Sequence, residues 1–260
     1  NEVIAFTDFI ATAVRKAAPP HVKVTKFDFP FIRNWEIVKS PEAVRKGLDI
    51  ASDDFVFIFN FDFFSVYERK NPEALLNAFE TAFAASDKVK LVLKTMHAEQ
   101  SNKHFQKFQA VIEKMHLKDK VVMINESLER NEFMSIINAC DAYVSLHRSE
   151  GLGLGMLEAM SMGKPVVGTR YGGNMDFMND ANSLLVDYTL VAAGKDALPY
   201  KENWLWADAD VAQAASYMAK LYNDKIFAKE LGSRALHYIN EHYNQEKFVK
   251  NLSSWMNGQL

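Results

Sequence analysis

One cysteine, Cys140, stands in 260 residues, so no disulfide can form within the chain and no cysteine cluster can hold zinc. The seven histidines show no metal-ligand spacing. A strong charge of either sign is missing as well: 30 Lys and Arg against 33 Asp and Glu leave a formal net charge of −3. That excludes the basic excess of a nucleic-acid binder or of a domain held by bulk anionic membrane. Long apolar runs are absent too. The densest, Phe55 to Phe64, is broken by Asn60 and Asp62, far short of the roughly 18–20 apolar residues of a transmembrane segment. The first residue, Asn1, follows no methionine and opens no signal-peptide pattern, which reads as an internal cut or a processed end. Against these absences, 48% hydrophobic and 12% aromatic content can fill a sizeable core. The balance fits a cytoplasmic enzyme domain, with peripheral contact at the inner membrane face left open. Cys140 itself reads as a small apolar residue at a helix end.

The residues that carry chemistry run from Ser149 to Met160. Upstream, Tyr143-Val144-Ser145-Leu146 is a short buried strand, and Gly151, Gly153 and Gly155 let the backbone turn tightly and approach a ligand. A helix follows from about Gly153 to Met162, closed by Gly163 before Pro165. Glu150 thus precedes the helix N-terminus and Glu158 lies about five residues inside it, roughly 7–8 Å along the axis. The N-terminal N–H groups suit phosphate or hydroxyl oxygens, and a carboxylate accepts from vicinal hydroxyls. Two other readings of these glycines fail. A dinucleotide fingerprint needs a third glycine where Met156 stands, and a Walker A loop ending in Gly163-Lys164 would begin at Glu158 and put Pro165 in place of the metal-binding hydroxyl.

Strand-then-helix units repeat along the chain, which predicts a parallel, Rossmann-like α/β sheet with helices on both faces. The expected strands are 55–59, 89–93, 121–124, 143–146, 165–169 and 183–186. Helices are expected at Glu73 to Ala85, Ser101 to Met115, Glu129 to Ala139 and the Glu158 segment. The first 16 residues read as a strand and a helix, 21–40 as irregular, and three amphipathic helices are expected at 208–222, 224–243 and 245–256. Thr189 to Ala207 is a long connection whose Tyr200, Trp204 and Trp206, with Tyr188, read first as core filling, with stacking on a sugar or lining an interface as the other reading. Ligands in such folds bind outside the C-terminal strand ends. Glu150, Lys94, Asn125 and the loop from Asp62 to Lys70 all fall there.

The spacing Glu150-x7-Glu158, then Met162-Gly163-Lys164-Pro165-Val166-Val167-Gly168-Thr169 and Gly172-Gly173-Asn174, resembles the donor half of retaining glycosyltransferases of the GT-B type, family 4 (glycosyl transferases group 1). The resemblance covers about Asp53 to Tyr188 and, more loosely, both ends. It implies that Glu150, Gly151, Leu152, Gly153 and Leu154 bind the donor sugar and that Glu158 binds the ribose hydroxyls. Lys70 matches the family lysine that neutralises the diphosphate. The Arg that the family places earlier is replaced by Asp62 or Ser65, so either Arg69 substitutes or Lys94 helps. Asn125 and Arg148 are expected beside the donor; His147 is near it without a role.

The resemblance further implies transfer of a hexose, with retention, from a UDP- or GDP-linked sugar that is a substrate, with no metal and no cofactor. The acceptor is expected to be a saccharide or lipid-linked. Residues 1–50 resemble a remnant of an N-terminal domain and the linker, 51–240 the nucleotide-sugar-binding domain, and 241–260 the helix that crosses back, so most of the first domain is expected to be missing. Other readings are a donor-binding module inactive by itself and a GT-B epimerase or phosphorylase.

Overall fold

Phe55, Val56, Phe57, Ile58 and Phe59 are all buried, which requires cover on both faces and a central place in the sheet. The computed structural model describes residues 2–99 and 102–258. In chain order it begins with β1 (Glu2–Ala5), α1 (Asp8–Ala17), β2 (Lys23–Lys26), α2 (Pro41–Gly47), β3 (Phe55–Asp62), α3 (Tyr67–Lys70), α4 (Pro72–Ala82), β4 (Val89–Met96) and α5 (Asn102–Lys114). Then come β5 (Val121–Asn125), α6 (Arg130–Ala139), β6 (Ala142–Ser145), α7 (Leu154–Ser161), β7 (Val166–Thr169) and β8 (Leu184–Val186). The chain continues through β9 (Tyr188–Ala192), β10 (Leu205–Ala209), α8 (Val211–Asn223), α9 (Lys225–His242) and α10 (Gln245–Met256). Ser101, the expected first residue of α5, lies outside the described residues.

The main sheet has six parallel strands in the order β5-β4-β3-β6-β7-β8, with β3 inside it. Helices flank it: α4 packs on α8, α7 on α9 and α2 on α6. This is the expected α/β class, a parallel sheet with helices on both faces and extra helices at its C-terminal end. The order turns at β3: from there the chain runs outward through β4 to β5, then returns to β6 on the other side. A crevice forms at such a switch point, at the C-terminal strand ends. Asn60, Lys94, Asn125 and the segment after Ser145 all reach that edge.

Three expectations need correction. The segment 189–207 is not a bare connection: β9 and β10 pair antiparallel as a ribbon outside the main sheet, Tyr188 opposite Ala209. Of its aromatics Trp206 is buried, but Trp204 is 51% exposed and does not fill a core. Residues 21–40 are not wholly irregular, because Lys23–Lys26 pair with β1 in a separate parallel sheet. The helix after Pro72 stops at Ala82, where Phe83 turns extended.

α10 reaches this small sheet. The Trp255 ring meets Phe27 edge-on at 5.7 Å, and its indole N–H donates to Glu2 at 3.1 Å. No described helix is long and apolar enough to cross a membrane.

Candidate functional site

β6 delivers the chain to the C-terminal edge, where Leu146 to Gly153 form the loop before α7. Gly153 caps α7 with φ +88°, where a side chain is strained, and no side chain caps the helix. Its first N–H groups are therefore free for a ligand. Leu154, the first residue of α7, is 41% exposed. Gly155 is needed for close approach, since a Cβ there would lie 2.8 Å from Asn60 Oδ1 and crowd the Tyr143 hydroxyl. That hydroxyl donates to Asn60 Oδ1 at 2.7 Å and ties the loop's strand to β3.

Opposite the loop, α3 brings two cations to Glu150. Lys70 Nζ donates to Glu150 Oε1, and Arg69 Nη1 lies 3.3 Å from Oε2. Arg69 also donates to the carbonyls of Ser149 (2.7 Å) and Ser65 (3.2 Å). Burial pushes the Glu150 carboxyl up, but the neighbouring positive charge, chiefly Lys70, outweighs it and holds the group below the usual carboxylate range. Its ionised form therefore adds stability above the ordinary pKa, and this is lost as pH falls through the lowered value.

Glu158 lies on α7, 3% exposed. Arg130 Nη2 stands 2.8 Å from its Oε1, yet that buried oxygen has no hydrogen bond of good geometry among the described residues. Burial pushes this carboxyl above the usual range, and Arg130 offsets it only in part. With the folded-state pKa raised, ionised Glu158 detracts from stability, fully above that value and not at all below the ordinary 4.5. Glu158→Gln is thus expected to leave the melting temperature equal or higher at neutral pH, with the gain vanishing in acid. Calorimetry across pH checks this; a variant less stable at neutral pH would contradict it. A buried carboxylate kept at such a cost marks a candidate binding group.

The other expected residues fall as follows. Gly151 and Leu152 continue the Glu150 loop. Lys94, near the end of β4, is buried beneath the Phe133 ring at 5.6 Å and does not join Glu150. Burial lowers its pKa, with Asp62 and Glu126 opposing. Asn125 ends β5 and accepts from Thr95 Oγ1 at 3.1 Å. Arg148 turns away from the Glu150 group. It donates to Asp208 Oδ1 at 2.8 and 3.0 Å and to the Glu68 carbonyl at 3.1 Å, over the Trp206 ring. Asp62, one of the two residues in place of the family Arg, accepts from the Phe64 N–H and contacts His97 Nδ1.

Four site residues escape sequence reasoning, and for a fifth, His147, expected near the donor without a role, the structure supplies one. Thr7 donates to the Gly151 carbonyl at 2.8 Å, so the first segment grips the glycine loop. Asn71, buried with φ +52°, donates to the Leu146 carbonyl at 3.0 Å and fixes α3 against β6. Val66, just before α3, has φ +62°, a strained state for a β-branched residue of the kind found at functional turns. Arg130, stacked on Trp35, reaches Glu158. His147 is fully buried between Ser145 Oγ (3.0 Å) and the Tyr171 carbonyl (2.9 Å). The carbonyl calls for an N–H at Nε2, and burial lowers the ring's pKa, so His147 is a neutral clamp on the 171–174 turn.

A cavity of about 1050 Å3 lies at the other edge of the sheet, among Arg45, Phe55, Lys90, Asp141 and Pro165. Its position at the strand starts sets it apart from the C-terminal strand edge where Glu150 and α7 lie.

The family model described as glycosyl transferases group 1 matches residues 42–238. Poly(ribitol-phosphate) alpha-N-acetylglucosaminyltransferase of Staphylococcus aureus (strain COL) is 29% identical over 153 residues, 54% of this chain and 26% of that protein. N-acetyl-alpha-D-glucosaminyl L-malate synthase of Bacillus anthracis is 22% identical over 139 residues, 54% of this chain and 31% of that protein. Among solved structures, Anabaena HepE in complex with UDP and glucose superposes with a TM-score of 0.75 at 18% identity, covering 98% of this chain and 63% of HepE. The chain thus spans less than a third of either curated relative. With the family model matching most of its length, the chain belongs to the glycosyl transferases group 1 family.

Proposed function

We propose that the chain is the donor half of a retaining family 4 glycosyltransferase and binds a UDP- or GDP-linked hexose at the edge formed by Glu150, Lys70, Arg69 and α7. One observation carries this reading: Glu158, a buried carboxylate, lies on α7, the helix that opens just after Glu150 and the two cations held there. Ribose hydroxyls add donors to a buried carboxylate paired with Arg130. Diphosphate oxygens take Lys70 and Arg69 over from Glu150, and Glu150 is then left to accept from the sugar hydroxyls.

The chemistry is electrostatic. As the glycosidic bond breaks, negative charge grows on the leaving diphosphate, and Lys70, Arg69 and the uncapped N-terminus of α7 stabilise it. The nucleotide-sugar is a substrate, and no cofactor takes part in this reading. Retention follows from attack by the acceptor on the face the leaving group vacates. The acceptor, a saccharide or a lipid-linked one met in the cytoplasm or at its membrane face, is positioned by a facing domain outside these 260 residues. Such positioning contributes roughly 7–11 kcal/mol to catalysis, so the chain by itself is expected to bind donor without transferring sugar at an enzymatic rate.

A thermal-shift screen of UDP-, GDP- and dTDP-sugars tests the proposal. Ligand at about 100 times its Kd adds about 2.7 kcal/mol to native stability, so one nucleotide class should raise the melting temperature by several degrees. No shift with any of them would sink the reading, as would a shift unchanged in a Lys70→Ala, Glu158→Gln double variant.

A further inference from the structure

The chain between β2 and α2 is anchored along α6. The Glu36 N–H donates to Asn131 Oδ1 at 3.2 Å, and those of Val38 and Lys39 donate to the buried Ser135 Oγ at 3.0 and 3.3 Å. This holds Trp35, whose ring also meets that of buried Phe31 at 5.7 Å, beside the first turn of α6. The Arg130 guanidinium lies over the Trp35 ring at 4.9 Å, and its Nη2 stands 2.8 Å from Glu158 Oε1. A segment remote in sequence thus ends, through one cation, on the carboxylate of α7.

Arg130 stands where a cation is not expected. It is the first residue of α6, and the partial positive charge of a helix N-terminus disfavours a cation there. Its side chain is 41% exposed, and an ion pair made by so exposed an arginine contributes little unless something fixes its geometry. Trp35 supplies that constraint, through the stacking that a planar guanidinium allows. Among the described residues no other Lys, Arg or His pairs with Glu158. The other titratable group that feels its charge is Tyr143 on β6, which burial keeps protonated.

We infer that Arg130 is a positioning residue for nucleotide binding and Trp35 its clamp: together they hold the Glu158 carboxylate charged and in place to accept from the ribose hydroxyls. The inference rests on the reading of Glu158 as the ribose-binding group. It adds that the segment docked on α6 sets the strength of ribose recognition. Burial pushes the Glu158 carboxyl up, and Arg130 offsets part of this. Without the cation the carboxyl rises further and is more protonated at about pH 6 than at about pH 8.5.

The test is a calorimetric titration, at both pH values, with UDP and GDP and with their 2′,3′-dideoxy analogues, which offer Glu158 no ribose hydroxyl. Wild type is compared with Arg130→Ala, Arg130→Lys, Trp35→Ala and Glu158→Gln. Arg130→Ala should weaken the nucleotide that wild type binds by about fivefold or more at the lower pH, the loss of one hydrogen bond to a charged group, and by less at the higher. The dideoxy analogue should bind wild type and variants alike. Trp35→Ala should follow Arg130→Ala, and Arg130→Lys should recover part of the loss through its charge. Should Trp35→Ala fail to fold, Trp35→Leu carries the same expectation. Arg130→Ala binding like wild type, losing nucleotide and analogue equally, or losing nucleotide equally at both pH values would overturn the inference, while a loss of ribose preference in Glu158→Gln would leave the ribose reading standing. If Glu158→Gln keeps that preference, or if wild type binds neither nucleotide, the ribose reading falls and the inference with it.

Discussion

Replacing Lys70 with alanine should weaken binding of a nucleoside diphosphate by roughly 10- to 100-fold and leave the nucleoside's affinity nearly untouched. Lys70 acts as a point charge, already placed on Glu150 by the short helix α3, and only the phosphates of a nucleotide present a charge for it. Its removal acts twice, because Glu150 is then left with Arg69 as its remaining cation and faces the diphosphate with less neutralisation. Arg69→Ala should shift affinities in the same direction if it stands in for the family Arg. Lys94→Ala should not, since Lys94 is buried under Phe133 and apart from Glu150. Calorimetric titration of each variant with nucleoside and nucleoside diphosphate separates the cases. Equal losses for both ligands would show that the α3 turn does not meet the phosphates, and an effect confined to Lys94→Ala would move the cation role there.

The second large effect is expected at Gly173. A Cβ on this residue would overlap the carbonyl of Gly151 and come within 2.9 Å of Thr7 Cγ2. Three segments meet at this point: the Gly173 N–H donates to the Glu150 carbonyl at 2.8 Å, and Thr7 donates to that of Gly151. The obstacle is backbone, which cannot swing aside as a side-chain tip can. Gly173→Ala should therefore cost about 3 kcal/mol, a fall of roughly 6–12 °C in melting temperature for a chain of this size, and should weaken nucleotide binding by displacing Glu150. Gly47→Ala is the control: nothing lies within 4 Å of that position, and alanine is the better helix residue. A Gly173→Ala protein that melts like wild type would mean that the two glycine turns are not in contact.

Much of this architecture is legible in the residues themselves. The run Phe55-Val56-Phe57-Ile58-Phe59 has no polar face, which calls for a strand covered on both sides, and β3 is that strand. Gly163, at φ +73°, ends the helix that carries Glu158 where the pattern puts it. The ribbon of β9 and β10 was hidden for a physical reason. It stands outside the main sheet with Leu190, Trp204 and Leu205 exposed, so burial imposes no clear alternation on its sequence. α3 was hidden because it follows Val66 at positive φ, a state no local rule assigns to valine. Thr7, Asn71, Arg130 and His147 matter through partners distant in the chain; Thr7 and Gly151, for instance, are 144 residues apart. One sequence carries no local signal for such a contact.

The central claim is that a nucleotide lies across α7 with its ribose on Glu158 and its diphosphate on Lys70. It is met most directly by a crystal structure of the protein with UDP or GDP bound. The predicted result has a ribose hydroxyl about 3 Å from a Glu158 oxygen, Lys70 Nζ turned from Glu150 to a phosphate oxygen, and the diphosphate against the N–H groups that open α7. A nucleotide bound only in the large cavity at the opposite edge of the sheet, or at this edge with its ribose out of reach of Glu158, would contradict the account.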